Sequence, residues 1–315
     1  MTFRPFRVRV ARTQQISPHF QRITFHGVER MGPKDTVRDL RIKLIIPHGG
    51  SLPELPEENW YAVWKDLEPT TRGVMRTYSI RALRRAPAGR LAGTTHDELD
   101  VDFVLHPEAA GPASSWAHTA QVGEEIILIG PARDDDSGTA IEFTPNACSH
   151  VVMLGDETAL PAIAKTLEEW PVGKTGAVFI EIPCELDAQE LNSPAGVSVQ
   201  MLPRDCAAPG SLLYQHLEQL VVETTAGRPT LPETEDAEYD PELVIWETPR
   251  FSRAGQSLAA DASAPSTSPF ADTYFWIAGE SSTVIQIRRL LVNNQVPRQQ
   301  ISFMGYWKRG IAIQR

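Results

Sequence analysis

The hydrophobic pattern of this chain changes near residue 146, and that change limits the folds open to it. Before that point apolar residues alternate with polar ones in short runs, as in Arg41-Ile42-Lys43-Leu44 and Asp100-Val101-Asp102-Phe103-Val104. A period of two puts successive side chains on opposite faces of a strand. Six strands are expected, at 6–12, 21–25, 40–46, 76–83, 99–105 and 125–129, with loops rich in Gly, Pro and Asp between them. The only helix expected there is a short one around 113–120. So many strands with so little helix predict a small closed antiparallel barrel, because closure removes exposed edges.

After residue 146 the runs become fully apolar and alternate with helical segments. Val151-Val152-Met153-Leu154, 177–182, 197–202, 274–278 and 301–304 read as strands. Ser211 caps a helix in which Leu213, Leu217, Leu220 and Val221 recur at three and four residues. Ser281 or Ser282 opens another, with Val284, Ile287, Leu290 and Leu291 on one face. Strands alternating with helices predict a parallel Rossmann-like sheet covered on both faces. A chain of 315 residues accommodates two domains. The boundary is expected at 145/146, giving a barrel domain 1–145 and an α/β domain 146–315. Residues 223–247 carry eight acids against one arginine, and 254–269 are mostly Ala, Ser and Pro. Such composition cannot bury enough surface to offset ordering. A mobile insertion at about 223–270, with one short strand at 243–246, is expected.

Charge and cysteine exclude several functions. A net charge of -10 argues against nucleic acid as a partner, since phosphate binding needs a basic face. No apolar run approaches the roughly 18 residues of a membrane span, so no membrane insertion is expected. The N-terminus runs straight into strand-like sequence without a signal-peptide core, and a cytoplasmic protein is expected. Cys148, Cys184 and Cys206 lie far apart with no C-x-x-C pair. That spacing suits neither a disulfide framework nor an iron–sulfur cluster, and no metal site is expected.

Four stretches carry groups suited to chemistry. In Arg76-Thr77-Tyr78-Ser79-Ile80-Arg81, Arg76, Tyr78 and Ile80 share one strand face and Thr77, Ser79 and Arg81 the other. An aromatic ring, hydroxyl donors and a guanidinium in one strand are what a bound FAD needs at its ring and pyrophosphate. The same residues also suit an exposed strand charged for solubility. Gly111-Pro112-Ala113-Ser114-Ser115-Trp116 follows a strand and opens a short helix. Free amides and hydroxyls at a helix N-terminus favour an anion. Gly155-Asp156-Glu157-Thr158 closes the first strand of the second domain, where parallel sheets bind their ligands. It is not a G-x-G-x-x-G fingerprint, and a strand–helix turn capped by Asp156 or Thr158 accounts for it equally well. Ala278-Gly279-Glu280 ends a second strand in the same manner.

Taken in order, and joined by His106-Pro107 and Gly305-Tyr306-Trp307-Lys308-Arg309-Gly310, these blocks resemble the siderophore-interacting protein family. Its members are flavin-dependent ferric-siderophore reductases related to ferredoxin reductases. The resemblance spans nearly the whole chain apart from about 223–270. It implies an FAD held by Arg76, Thr77, Tyr78, Ser79 and His106, with Gly111, Ala113, Ser114 and Ser115 as the phosphate turn. NADH or NADPH is implied beside Asp156, Thr158, Ala159, Ala278, Gly279, Glu280 and Trp307. A ferric siderophore, usually anionic, is expected against Lys65, Arg72, Arg133, Lys308 and Arg309. The chain departs from the family at three places: Pro107 follows His106 where glycine is usual, Arg133 stands one position late after Gly130-Pro131, and Lys308 replaces the commoner arginine.

The implied activity is an NAD(P)H-dependent ferric-siderophore reductase that passes electrons through FAD to Fe(III) and releases Fe(II). No acid–base residue is strictly required for it. A general NAD(P)H:flavin or ferredoxin-type reductase, and a flavin-containing siderophore-binding protein with little turnover, remain as alternatives. A siderophore esterase is disfavoured because no G-x-S-x-G elbow occurs. A partner ferredoxin stays open as electron donor, and a monomer is expected.

Overall fold

The computed structural model describes residues 3–49, 51–86, 96–106, 111–135, 137–225, 246–247 and 268–309. Its contacts divide the chain into two units, one of Met1–Ile141 with Ala164–Glu169 and Gln314–Arg315, the other of Glu142–Ile163 with Trp170–Ile313.

The first unit is built on a seven-stranded antiparallel sheet. Its strands are β1 (Phe3–Ser17), β2 (Phe20–His26), β3 (Arg41–Ile46), β4 (Val74–Ser79), β5 (Ala82–Arg84), β6 (Glu98–Val104) and β7 (Glu125–Pro131). They lie in the order β4-β3-β7-β1-β2-β6-β5. One strand was expected at 76–83, and the structure breaks it into two. Ile80 N–H still donates to Leu40 in the β3 direction (3.2 Å), whereas Arg81 N–H donates to Asp100 on β6 (2.9 Å). Consecutive residues thus pair with opposite edges of the sheet, and the covalent chain itself joins the ends of the curl. This explains why seven strands appear where six were counted.

Alternation sorts the side chains of this sheet. Ile42, Leu44, Leu99, Val101, Phe103, Ile126 and Leu128 point into the curl and form its core with Phe6, Val8, Ile23 and Phe25. Ile45, Met75, Ile127 and Ile129 face the other way and pack on Trp64. Trp64 belongs to a helix the pattern did not reveal, α1 (Trp60–Asp66), seven residues entered through Asn59 in a left-handed conformation. A helix so short shows too few repeats of its period to be read from sequence. Its indoles anchor it: Trp60 donates to the Phe3 carbonyl (2.9 Å) and Trp64 to that of Arg72 (2.8 Å). With α1 covering the outer side, β7 is buried on both faces, which is why it reads Ile-Ile-Leu-Ile without alternation.

Elsewhere the outer face is closed by charge. Glu98, Asp100 and Asp102 alternate with the core residues of β6 yet are buried. Arg12 grips Glu98 with both terminal nitrogens (2.7 and 3.0 Å), Arg84 bridges Glu98 and Asp100, and Arg22 grips Asp102 (2.6 and 2.8 Å). Thr24 donates to Asp100 at 2.7 Å.

The second unit holds β8 (His150–Gly155), β9 (Thr175–Ile182), β10 (Val197–Pro203), β11 (Trp246–Glu247), β12 (Thr273–Glu280) and β13 (Ile301–Trp307) in the order β10-β9-β8-β12-β13-β11. All neighbours are parallel except β11, which runs antiparallel to β13. Helices α4 (Ser211–Thr225) and α5 (Ser281–Asn293) pack Leu213, Leu217, Val221, Val284, Ile287 and Leu291 on one face, against Val152, Leu154, Phe275 and Ile277. On the other face lies α3 (Leu160–Glu168). Gly155 must be a glycine here, because a Cβ would stand 2.7 Å from both Ala159 and Ile163. The strand sequence steps outward from β8 to β10 and then switches side to β12, so the switch point lies between β8 and β12. Most of the expected insertion at 223–270 falls outside the described residues. No helix among the described residues is long and apolar enough to cross a membrane. The remaining short helix of the first unit, α2 (Pro112–Thr119), packs against β2, β3, β4 and β6.

The β6 carboxylates give a stability test. Hydrogen bonds from Arg12, reinforced by Arg84 and opposed by burial, hold the Glu98 carboxyl down at about 2, below an ordinary 4.5. A depressed carboxyl contributes stability above its unfolded value and loses it as pH falls through the folded one. Glu98→Gln should therefore cost about 1–3 kcal/mol in urea unfolding at pH 7. The gap to wild type should narrow as pH falls from 4.5 toward 2. A gap that stays constant over that range would remove the charge from the explanation.

Candidate functional site

The barrel unit contains one cation that differs from its arginine neighbours. Arg12, Arg22 and Arg84 are matched by carboxylates that raise their pKa values. Arg76 is half-buried, and burial pulls its guanidinium pKa down, with only Tyr78 opposing. It makes no ion pair among the described residues, and its Nη1 donates to the neighbouring Met75 carbonyl at 2.8 Å. A cation half withdrawn from water without an acid is suited to an anionic ligand. Three residues on, Ser79 is buried and its Oγ has no hydrogen-bond partner among the described residues. Thr77 is exposed and accepts from Lys43 Nζ at 3.3 Å.

Helix α2 supplies the second part. Its cap residue Gly111 has no side chain to offer and Pro112 has no N–H. The Ser115 N–H bonds back to Gly111, which leaves the amides of buried Ala113 and Ser114 in the first turn. The His106 backbone N–H donates to Ser114 Oγ at 3.1 Å, which ties the residues after β6 to the first turn of α2. Rings fix this helix relative to β4. Tyr78 packs on Phe103 with centroids 4.5 Å apart, and Phe103 meets Trp116 of α2 at 5.6 Å. Burial raises the Tyr78 phenol pKa. A guanidinium and a buried hydroxyl that have no ion pair and no hydrogen-bond partner, respectively, among the described residues, together with a helix N-terminus on the same curl, fit the pyrophosphate and polar ring edge of FAD.

In the second unit the carboxyl ends of three strands meet at Asp156, which is 2% exposed. Its Oδ1 accepts from Thr158 N (2.9 Å) and Thr158 Oγ1 (2.5 Å). Its Oδ2 accepts from Glu280 N (2.8 Å), at the end of β12, and from Trp307 Nε1 (2.7 Å), at the end of β13. Burial pushes the Asp156 carboxyl up to about 7, aided by the charge of Glu157 and opposed by the Thr158 and Trp307 donors. The Asp156 N–H reaches the Ala278 carbonyl (3.3 Å), and the Ala159 N–H closes the turn on the Asp156 carbonyl (2.9 Å). Gly279 adopts φ 150°, and a Cβ there would stand 2.5 Å from Asp156 Oδ2. Ser281 Oγ donates to the Trp307 carbonyl at 2.9 Å, so Trp307 is held at both indole and backbone.

The structure adds three residues that the sequence reading did not single out. Glu157 takes a bidentate pair from Arg204 at the end of β10 (2.6 and 2.7 Å), and Glu181 of β9 lies 3.7 Å from the same guanidinium. Glu181 also accepts from Gly210 N (2.6 Å) and Leu212 N (3.1 Å), which caps α4. A lone acid inside an otherwise apolar strand was the available signal for Glu181. Glu280 caps α5 through Thr283 N at 3.0 Å and takes the Ser282 hydroxyl. The N-termini of α4 and α5 are thus occupied by the chain's own carboxylates. The switch-point edge and the half-buried Trp307 indole fit a nicotinamide ring, while these two helix termini do not offer a place for a pyrophosphate.

The five cations are placed as follows. Lys65 is exposed in the last turn of α1, and the Arg72 guanidinium lies over the Trp64 ring, 4.8 Å from its centroid. Arg133 donates to the Glu29 carbonyl (2.6 Å) and to Asp97 (3.2 Å). Lys308 is half-buried after β13, and Arg309 is exposed.

The Asp156 junction predicts one structural outcome. Gly279→Ala should cost about 1–3 kcal/mol, because the methyl group meets the carboxylate in a backbone region that side chains disfavour. Thermal unfolding checks it, and a neutral substitution would show that the junction relaxes freely.

Comparison with known proteins agrees with both halves of this description. Residues 148–310 match the siderophore-interacting protein family, and residues 9–135 match the siderophore-interacting FAD-binding domain. The ferric vibriobactin reductase ViuB of Vibrio cholerae is 27% identical over 95% of this chain and 88% of its own length. The NADPH-dependent ferric-chelate reductase of Escherichia coli is 25% identical over 95% and 91%. Among solved structures, the siderophore-interacting protein SipS of Aeromonas hydrophila superposes with a TM-score of 0.59, at 26% identity over 98% of this chain and 100% of that one. The chain belongs to the siderophore-interacting protein family and carries its FAD-binding domain.

Proposed function

We propose that this chain is an NAD(P)H-dependent ferric-siderophore reductase. The observation that carries the reading is Arg76, a half-buried cation with no ion pair among the described residues, on the same strand of the FAD-binding domain as Ser79, whose hydroxyl has no partner among the described residues. The named reductase relatives support the same activity. In this reading residues 1–145 hold FAD and residues 146–315 receive NADH or NADPH. FAD, when bound, supplies the conversion between a two-electron hydride donor and a one-electron acceptor. Arg76 grips the pyrophosphate, joined by the Ala113 and Ser114 amides, and Ser79 donates to the polar edge of the ring. Tyr78, already seated on Phe103, offers its remaining face to the ring, and Thr77 and His106 are further candidates to contact the flavin. The chain supplies position and charge, and no side chain is asked to transfer a proton.

The acceptor is an anionic ferric complex on a protein of net charge -10. Lys65, Arg72, Arg133, Lys308 and Arg309 are the candidates to hold it, and Arg133 would first have to leave Asp97. Iron leaves as weakly chelated Fe(II). A cytoplasmic monomer is the working form, and a ferredoxin is an alternative electron donor.

Purified protein should be yellow and release FAD on denaturation. Arg76→Ala should weaken FAD binding by about 1.5–3 kcal/mol, roughly ten- to a hundredfold in Kd. Tyr78→Ala should weaken it too, whereas Tyr78→Phe should change little. Protein that cannot be loaded with FAD ends the proposal.

The acceptor site has a separate test in the two half-reactions. Lys308→Ala should raise KM for a ferric siderophore by roughly two- to fivefold at low salt, the size of an exposed charge contact. The effect should shrink as salt rises, since charges are screened beyond about 8 Å at physiological ionic strength. Reduction of FAD by NAD(P)H should be unchanged. A general flavin reductase would instead reduce a neutral quinone as well as it reduces ferric complexes, and the substitution would leave both alone.

A further inference from the structure

Nothing assigned so far accounts for how Asp156 is used. Its two oxygens accept four hydrogen bonds, all from the protein: two from Thr158, one from Glu280 N–H and one from the Trp307 indole. A carboxylate with this many donors has little capacity left for a ligand. The donors come from the turn after β8, the end of β12 and the end of β13, on both sides of the switch point. Gly279 carries no Cβ where one would collide with this carboxylate, so the backbone of β12 is shaped to admit it. Thr158 and Trp307 are both partly exposed, and of the three donor residues Trp307 alone offers a ring.

We propose that Asp156 is a positioning residue rather than a cofactor ligand: it fixes the Trp307 indole at the carboxyl edge of the sheet so that this ring receives the nicotinamide. The proposal rests on the reading above that NAD(P)H binds at this edge. An indole bonded through Nε1 cannot rotate about its side-chain torsions without leaving a buried carboxylate short of a donor, which costs about 1–3 kcal/mol or more for a charged group. The ring is therefore held in one orientation before the nucleotide arrives, and that spares the ordering cost at binding. Asparagine cannot replace the aspartate. Its amide accepts on one side only, and its NH2 group would oppose either the Thr158 donors or the Glu280 and Trp307 donors.

The charge of Asp156 is set by its surroundings. Glu157 adjoins it on the same turn, Glu280 caps α5 beside it, and Arg204 lies behind Glu157 with Glu181. Lys308 and Arg309 follow Trp307 directly, and the Arg309 N–H lies 3.4 Å from Glu280. Burial is the first cause that raises the Asp156 carboxyl, to about 7, and the charge of Glu157 adds to it. Losing the charge weakens the hold on the indole.

The test reads the indole directly. In a proton–nitrogen correlation spectrum of the flavin-loaded protein, the Trp307 indole signal is identified by its loss in Trp307→Phe. It should move downfield as pH rises through about 7, and in Asp156→Asn it should sit upfield and stay there. Anaerobic rapid mixing with NADH and with NADPH should show FAD reduction slowed about tenfold in Asp156→Asn and in Trp307→Phe alike. The double variant should be no slower than either, and FAD occupancy should be unchanged in all three. An indole signal unaffected by Asp156→Asn overturns the proposal, as does Trp307→Phe at the wild-type rate. If Asp156→Asn fails to fold, the pH titration of the wild-type indole decides, and a flat titration counts against the proposal. If neither nucleotide reduces wild-type FAD, the donor reading itself has failed, and the indole shift then decides alone whether Asp156 holds Trp307.

Discussion

Compensation of buried charge is the constraint on which both halves of this chain depend. A carboxylate taken out of water must regain its lost hydration from donors at fixed positions, or it costs several kcal/mol. In the barrel unit the acids of β6 regain it from Arg12, Arg22 and Arg84, which close the outer face of the sheet at that strand. In the α/β unit Asp156, Glu181 and Glu280 regain it mainly from backbone amides at strand and helix ends. The donors have to be in place before the charge can be buried, so these carboxylates also determine where strands end and helices begin. Arg76 departs from the pattern of Arg12, Arg22 and Arg84: it is half-buried and makes no ion pair among the described residues, which suits an anionic ligand.

The position of Arg76 follows from how the curl is closed. Strands β4 and β5 lie at opposite edges of the sheet, yet only Ile80 and Arg81 separate them in the chain. The segment that carries Arg76, Tyr78 and Ser79 therefore runs to the seam, where β4 gives up one neighbour and the chain crosses to the other. Near this seam the Ser79 hydroxyl is buried and has no partner among the described residues. Helix α2, joined to β4 through Tyr78, Phe103 and Trp116, presents its first turn on the same curl.

At the carboxyl edge of the parallel sheet the logic is reversed. There the helix termini of α4 and α5 are filled by Glu181 and Glu280, so the groups that would ordinarily attract an anion are already satisfied. What the edge offers a ligand is shape, namely the Gly279 backbone and the indole of Trp307. Such an edge orients a flat ring better than it grips a phosphate.

Much of this was legible in the sequence because it depends on local repeats. Period-two alternation set the strands of the first half, and apolar runs alternating with amphipathic helices set those of the second, since burial on one face or both imposes those patterns. The motifs around Arg76, Ser114, Asp156 and Gly279 were visible as residue types suited to ligands. The tertiary structure decided what each of those residues touches. It split 76–83 into two strands, because closure depends on which edges the chain can reach and not on local alternation. It revealed α1, whose seven residues are held by distant carbonyls rather than by helical periodicity. It gave Asp156 three strand ends to join and left Arg76 without an ion pair among the described residues, because pairing of charges is settled between residues far apart in sequence, where no local pattern records it.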